Sequence, residues 1–169
     1  MLNKRKDQGF TLVELLVVIA IIAVLAGVVL VAINPTALLA KGRDATRLQD
    51  MENLHKALSL SLADGEVILT DTSGCTTCTS LTGTQAVDGS AGWVQFTIPT
   101  GRTGLSKYIP TLPADPTNTG SLVYTYASDA VNYELNSVLE STDNAAKMTT
   151  DGGDNAAVYE LGTALTILN

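Results

Sequence analysis

The sequence predicts an α+β fold: one long N-terminal helix packed by its second half on a small antiparallel sheet. Three observations carry this. An uninterrupted apolar run follows a short basic leader. An amphipathic stretch with three- and four-residue spacing follows that run. The second half holds short alternating segments separated by turn residues.

The apolar run extends from Phe10 to Ile33, and Glu14 is its only charged residue. As a helix of about 1.5 Å rise per residue it is about 36 Å long, more than a bilayer core of roughly 30 Å. It reads as a membrane span. A secretory signal has a shorter apolar core, about 7–15 residues, and a plain signal anchor has no use for Glu14. A carboxylate inside a span costs on the order of 2.5–3.5 kcal/mol, so Glu14 is a functional candidate with a partner to be found. Asn34-Pro35 predicts a break near 33–37, because proline lacks the helical donor and disfavours helix at the residue before it.

From Leu38 to about Ala63, Leu48, Met51, Leu54 or His55, Leu58 and Leu62 form an apolar stripe suited to packing on a sheet. Arg43, Asp44, Arg47, Asp50, Glu52 and Lys56 lie off that stripe or at its edge and read as a solvated face, the alternative being that they meet neighbouring subunits in an assembly. Asp64-Gly65 supplies a left-handed stop. Residues 65–92, rich in Thr, Ser and Gly, read as a surface loop. The sheet is expected over 93–169, from Trp93–Ile98, Leu122–Tyr126, Tyr133–Val138 and Val158–Leu161, with a turn at Ser128-Asp129-Ala130. Prolines 110, 113 and 116 exclude a central strand between them.

The chain has 169 residues, and the part beyond the span suits one small domain. The leader carries Lys4, Arg5 and Lys6 against Asp7, whereas residues 64–169 hold 3 basic and 12 acidic side chains. The positive-inside rule keeps the leader cytoplasmic and puts the acidic domain outside. That acidity argues against direct nucleic-acid binding through a broad basic face.

Lys4-Arg5-Lys6, Gly9 and Phe10-Thr11-Leu12-Val13-Glu14, in that order before the apolar run, resemble the signal of type IV pilins and type II secretion pseudopilins. Leu112-Pro113-Ala114-Asp115-Pro116 followed by Tyr124-Thr125-Tyr126 is similar to the C-terminal half of major pseudopilins and small bacterial pilins. The resemblance implies a pilin-like fold with a leader at 1–9, a transmembrane and filament-core helix at 10–37, its amphipathic continuation at 38–64, and a globular head at 65–169. It implies cleavage after Gly9 by a prepilin peptidase and methylation of the new N-terminal Phe10. It also implies assembly through Glu14 and the Phe10 amine of a neighbouring copy.

Cys75 and Cys78 are a disulfide candidate, since they lie close together in a domain expected outside the cytoplasm. A redox motif, a metal site and free thiols are the competing readings. Asp143, Asp151, Asp154 and Asn155 offer hard oxygen donors in a glycine-containing loop and are calcium candidates, with a solvated turn as the alternative. Major pseudopilins, which the chain resembles, hold calcium in a C-terminal loop, but their ligands do not align residue by residue with these positions. No other cofactor is indicated. His55, the only histidine, reads as a packing or surface residue. No nucleophile elbow, phosphate loop or His-Glu-x-x-His pattern occurs, so the chain is expected not to be an enzyme.

The expected function is that of a filament subunit of the type IV pilus kind. Its expected partners are copies of itself, minor pilins, the peptidase, an assembly platform protein and an ATPase. It is expected as a single-pass cytoplasmic membrane protein before it enters an extracellular or periplasmic filament. The alternatives are a major pseudopilin of type II secretion and, in another class, a membrane-anchored binding domain that does not polymerise.

Overall fold

A computed structural model describes residues 9–168. Its architecture is α+β. Helices α1 (Leu12–Ile33) and α2 (Pro35–Ala63) precede five short strands, a 3-10 turn at Gly104–Lys107 and a small helix α3 (Ala145–Thr150). The chain divides into two compact units, one ending at Leu38 and the other beginning at Leu39.

None of the residues of α1 is buried. The helix stops at Asn34, which is left-handed at φ 45° and ψ 78°. Two causes meet there. Pro35 excludes its predecessor from the right-handed helical region, and asparagine tolerates the left-handed one. Asn34 then caps the second helix: its carbonyl accepts from Ala37 and Leu38 N–H, and its Oδ1 accepts from Thr36 Oγ1 at 2.7 Å. Pro35 opens α2, where a missing N–H is harmless.

The buried line along α2 is Asp44, Arg47, Met51, Leu54, Ala57, Leu58 and Ser61. The expected stripe is present but starts one turn earlier, in charged residues. Asp44 and Arg47 are fully buried and do not belong to a solvated face. Their spacing is that of the stripe, and the charge is tolerated because each group is paired. Glu52 and Lys56 do lie on the exposed face, as an i,i+4 pair at 2.7 Å. Gly65, at φ 63°, ends the helix, and Glu66 N–H returns to Ser61 C=O at 2.8 Å.

The strands form two antiparallel sheets. β1 (Ile68–Leu69) pairs with β2 (Phe96–Thr97), and β3 (Tyr124–Ser128), β4 (Tyr133–Ser137) and β5 (Tyr159–Gly162) lie in the order β3-β4-β5. The segment expected as a strand over 93–98 is reduced to Phe96–Thr97. Trp93 and Val94 are buried in irregular chain instead, with the Trp93 indole donating to Pro113 C=O at 2.9 Å. That side chain anchors the proline connector rather than extending a ladder. The turn after β3 is closed by Asp129, whose Oδ1 accepts from Val131 and Asn132 N–H.

One face of the larger sheet presents Tyr124, Tyr126, Tyr133 and Leu135 to the core around Met51, Leu54 and Leu58. Two hydroxyls tie it to α2: Tyr124 donates to Asp50 at 2.9 Å, and Tyr133 meets Ser59 and His55 Nδ1 at 3.0 Å. The opposite face is polar yet also covered. Its Glu134 accepts from Ile167 and Leu168 N–H, and its Glu160 accepts from Asn155 N–H.

Candidate assembly site

The residues around the expected cut lie at the start of α1. Gly9 and Phe10 are exposed and precede the helix. The other leader residues lie outside the described residues. Thr11 caps α1 from an extended conformation, φ −80° and ψ 151°. Its hydroxyl accepts from Glu14 N–H at 3.2 Å, and Glu14 Oε2 accepts in return from Thr11 N–H at 2.8 Å and from Thr11 Oγ1 at 2.7 Å. This is a reciprocal capping box. Thr11 and Glu14 therefore fix where the helix begins, and the Gly9–Phe10 bond stays outside it.

The geometry gives Glu14 two properties. Its carboxylate sits one turn from the helix start, among exposed apolar side chains. Its hydrogen-bond partner is its own Thr11, and Oε1 forms no hydrogen bond among the described residues. Such a group can accept a further cation without breaking the helix cap.

A second charged constellation is built on the N-terminal half of α2. Arg47 Nε and Nη2 grip Asp115 at 2.6 and 2.9 Å, and Nη1 lies 3.1 Å from Asp44 and 2.6 Å from Glu140. Arg43 binds Glu140 through two further bonds. Asp44 also accepts from the backbone N–H groups of Glu140 and Ser141, each at 2.8 Å. Hydrogen bonds from Arg43 and Arg47 hold the Glu140 carboxyl down at about 2 against the effect of its burial. The cluster binds α2, the proline connector and the segment after β4 to one another. Every charge has a partner, so it is structural. Sequence spacing hints at it, because Asp44 and Arg47 continue the stripe; nothing local indicates the partners.

Cys75 and Cys78 are joined by a disulfide, with Cα atoms 5.7 Å apart. The acidic residues 143–155 are dispersed in their bonding. Asp143 pairs with Lys41, Asp151 accepts from Gly153 and Glu160 N–H, and Asn155 accepts from Ala157 N–H. Asp154 makes no side-chain hydrogen bond among the described residues. Nowhere among them do three His, Cys, Asp or Glu side chains converge to hold a metal ion. His55 is half-buried against Tyr133, and burial lowers its pKa.

Residues 4–30 match a family model, the Prokaryotic N-terminal methylation motif. Residues 4–30 thus carry the N-terminal signal of type IV pilin and pseudopilin precursors. No curated protein and no solved structure matches the chain. Among the described residues α1 is the one helix long and apolar enough to cross a membrane, which agrees with the anchor that such a signal introduces.

Proposed function

We propose that the mature chain, from Phe10 onward, is the structural subunit of a type IV pilus-like filament. The observation that carries this reading is α1 itself: apolar, unburied along its whole length, and charged only at Glu14. A helix apolar on every side needs lipid or other helices around it. The bilayer supplies the first surrounding and a bundle of identical copies the second.

In this reading the peptidase cuts after Gly9 and methylates the Phe10 amine. The subunit waits in the cytoplasmic membrane with its acidic head outside. An assembly ATPase and platform protein then move it, with minor pilins, into the filament. The new amine lies one residue before the helix cap, and Glu14 of a neighbouring copy pairs with it. An unpaired carboxylate in an apolar bundle is strongly unfavourable, so the pair selects one stagger between subunits.

Intact mass of protein purified from its native host tests the processing: loss of residues 1–9 plus one methyl group is expected. Glu14→Ala tests assembly. Processing should persist while filaments seen by electron microscopy disappear; filaments of normal number and length from that variant would remove Glu14 from the assembly role.

A further inference from the structure

The outer edge of β3 is closed by three residues of one loop. Tyr124 N–H donates to Ser80 Oγ at 2.9 Å, Tyr126 N–H to Cys78 C=O at 3.0 Å, and Ser128 N–H to Thr72 Oγ1 at 2.8 Å. In return, Ser80 N–H donates to Tyr124 C=O and Thr72 N–H to Ser128 C=O, at 2.8 and 2.9 Å. Two of the three donors of β3 are thus served by hydroxyl side chains rather than by a paired strand. Between these two points of attachment, at Thr72 and at Cys78–Ser80, residues 73–77 leave the sheet edge.

The disulfide joins the two attachments. Cys78 is itself the acceptor for Tyr126. Cys75 N–H donates to Thr72 C=O at 2.9 Å, so Cys75 belongs to the turn that begins at Thr72. Without the covalent link, a Thr- and Gly-rich segment would have to hold both attachments through a few hydrogen bonds, at the entropy cost of ordering each residue. Both cysteines line a pocket of about 300 Å³ together with Ser73, Thr79 and Asp129. They differ in burial: Cys78 is 4% exposed and belongs to the core, whereas Cys75 is only half-buried.

We propose that the Cys75–Cys78 disulfide is a redox latch on the β3 edge: oxidised, it holds the 72–80 loop against the strand, and reduced, it frees that edge. The reductant is a dithiol. Its thiolate attacks Cys75 Sγ from the pocket side, the Cys75–Cys78 bond breaks, and Cys78 leaves as a thiolate that takes up a proton. The second thiol of the reductant then displaces Cys75, which is protonated in turn, and the reductant departs as a disulfide. A freed edge exposes unpaired N–H and C=O groups, the template for unwanted strand pairing. The latch therefore keeps the head from edge-to-edge association once the thiols are oxidised.

Amide hydrogen exchange on the full chain in detergent micelles tests this, with dithiothreitol as the reductant and the Cys75→Ser/Cys78→Ser variant as its chemical counterpart. Exchange at Tyr126 and Ser128 should quicken at least tenfold on reduction and in the variant, while the β4–β5 amides keep their protection. Unchanged protection at Tyr126 in the reduced wild type or in the double variant overturns the latch. So does loss of protection across β4–β5, which would make the disulfide a support of the whole sheet.

Discussion

Arg47 and Asp115 form a two-pronged pair in the interior, both side chains fully buried, with Nε and Nη2 at 2.6 and 2.9 Å from the carboxylate oxygens. Asp115 Oδ1 also accepts from Thr117 and Asn118 N–H, so the pair shapes the turn after the proline connector. Removing one member leaves the others charged and dry. Arg47→Ala is expected to destabilise the head by about 3–5 kcal/mol, because uncompensated buried charge is the dominant penalty. Arg47→Lys should recover only part, since an ammonium cannot copy the planar fork. Chemical denaturation of both variants measures the difference.

This pair also marks the boundary of what the sequence discloses. Gly9 to Glu14 and the apolar run are contiguous, and their meaning rests on local order, so they are legible at once. The helix break is legible for the same reason: Asn34-Pro35 is a dipeptide effect. Arg47 reads as solvated in the sequence because its partner Asp115 lies 68 residues away, and charge pattern on one helix says nothing of such a partner. α3 escapes sequence reasoning because its six residues, Ala145–Thr150, bury none of their side chains and so print no stripe. The covered outer face of β4 is hidden likewise. Strand alternation marks Glu134 and Asn136 as outward, but not that Ile167 and Leu168 return to donate their N–H groups to Glu134.

Two glutamates predict an acid-side optimum of stability. Arg43 and Arg47 depress Glu140 to about 2, below its unfolded value near 4.5. Its stabilisation is complete above about pH 4.5 and is lost as pH falls through about 2. Glu160 is opposite. Burial, aided by the neighbouring Glu134, pushes it up to about 7. Its contribution is complete below about pH 4.5 and is lost as pH rises through about 7. The contributions of these two groups are both complete near pH 4.5, and one is lost on each side of it, Glu140's toward about pH 2 and Glu160's toward about pH 7. Denaturation midpoints from pH 2 to 8 should trace that dome. Glu160→Gln should flatten only the neutral limb.

Gly162 lies in β5 opposite Glu134, and a Cβ there would fall 2.1 Å from Tyr133 C=O. The obstacle is backbone in a central strand, which has no room to move. Gly162→Ala should cost about 2–3 kcal/mol through overpacking and weaken the β4–β5 ladder. Gly101 is the control. It has φ 81°, and a Cβ would meet nothing within 4 Å. Gly101→Ala should cost only about 1–2 kcal/mol, the strain of a left-handed residue. Thermal melts of the two variants should separate accordingly.

Gly9 separates folding from processing. A Cβ added there meets no atom within 4 Å, and the residue precedes the capping box rather than joining it. Gly9→Leu should therefore leave the melting temperature of the head unchanged. The proposed cut, by contrast, needs a residue without a side chain at the scissile bond, where the backbone must lie extended in the peptidase. The variant should accumulate uncut, with residues 1–9 retained in the intact mass, and should yield no filaments, because the Phe10 amine is never released. Efficient cleavage of Gly9→Leu would show that the glycine is not what the peptidase requires, while a shift in melting would show a contact with the head.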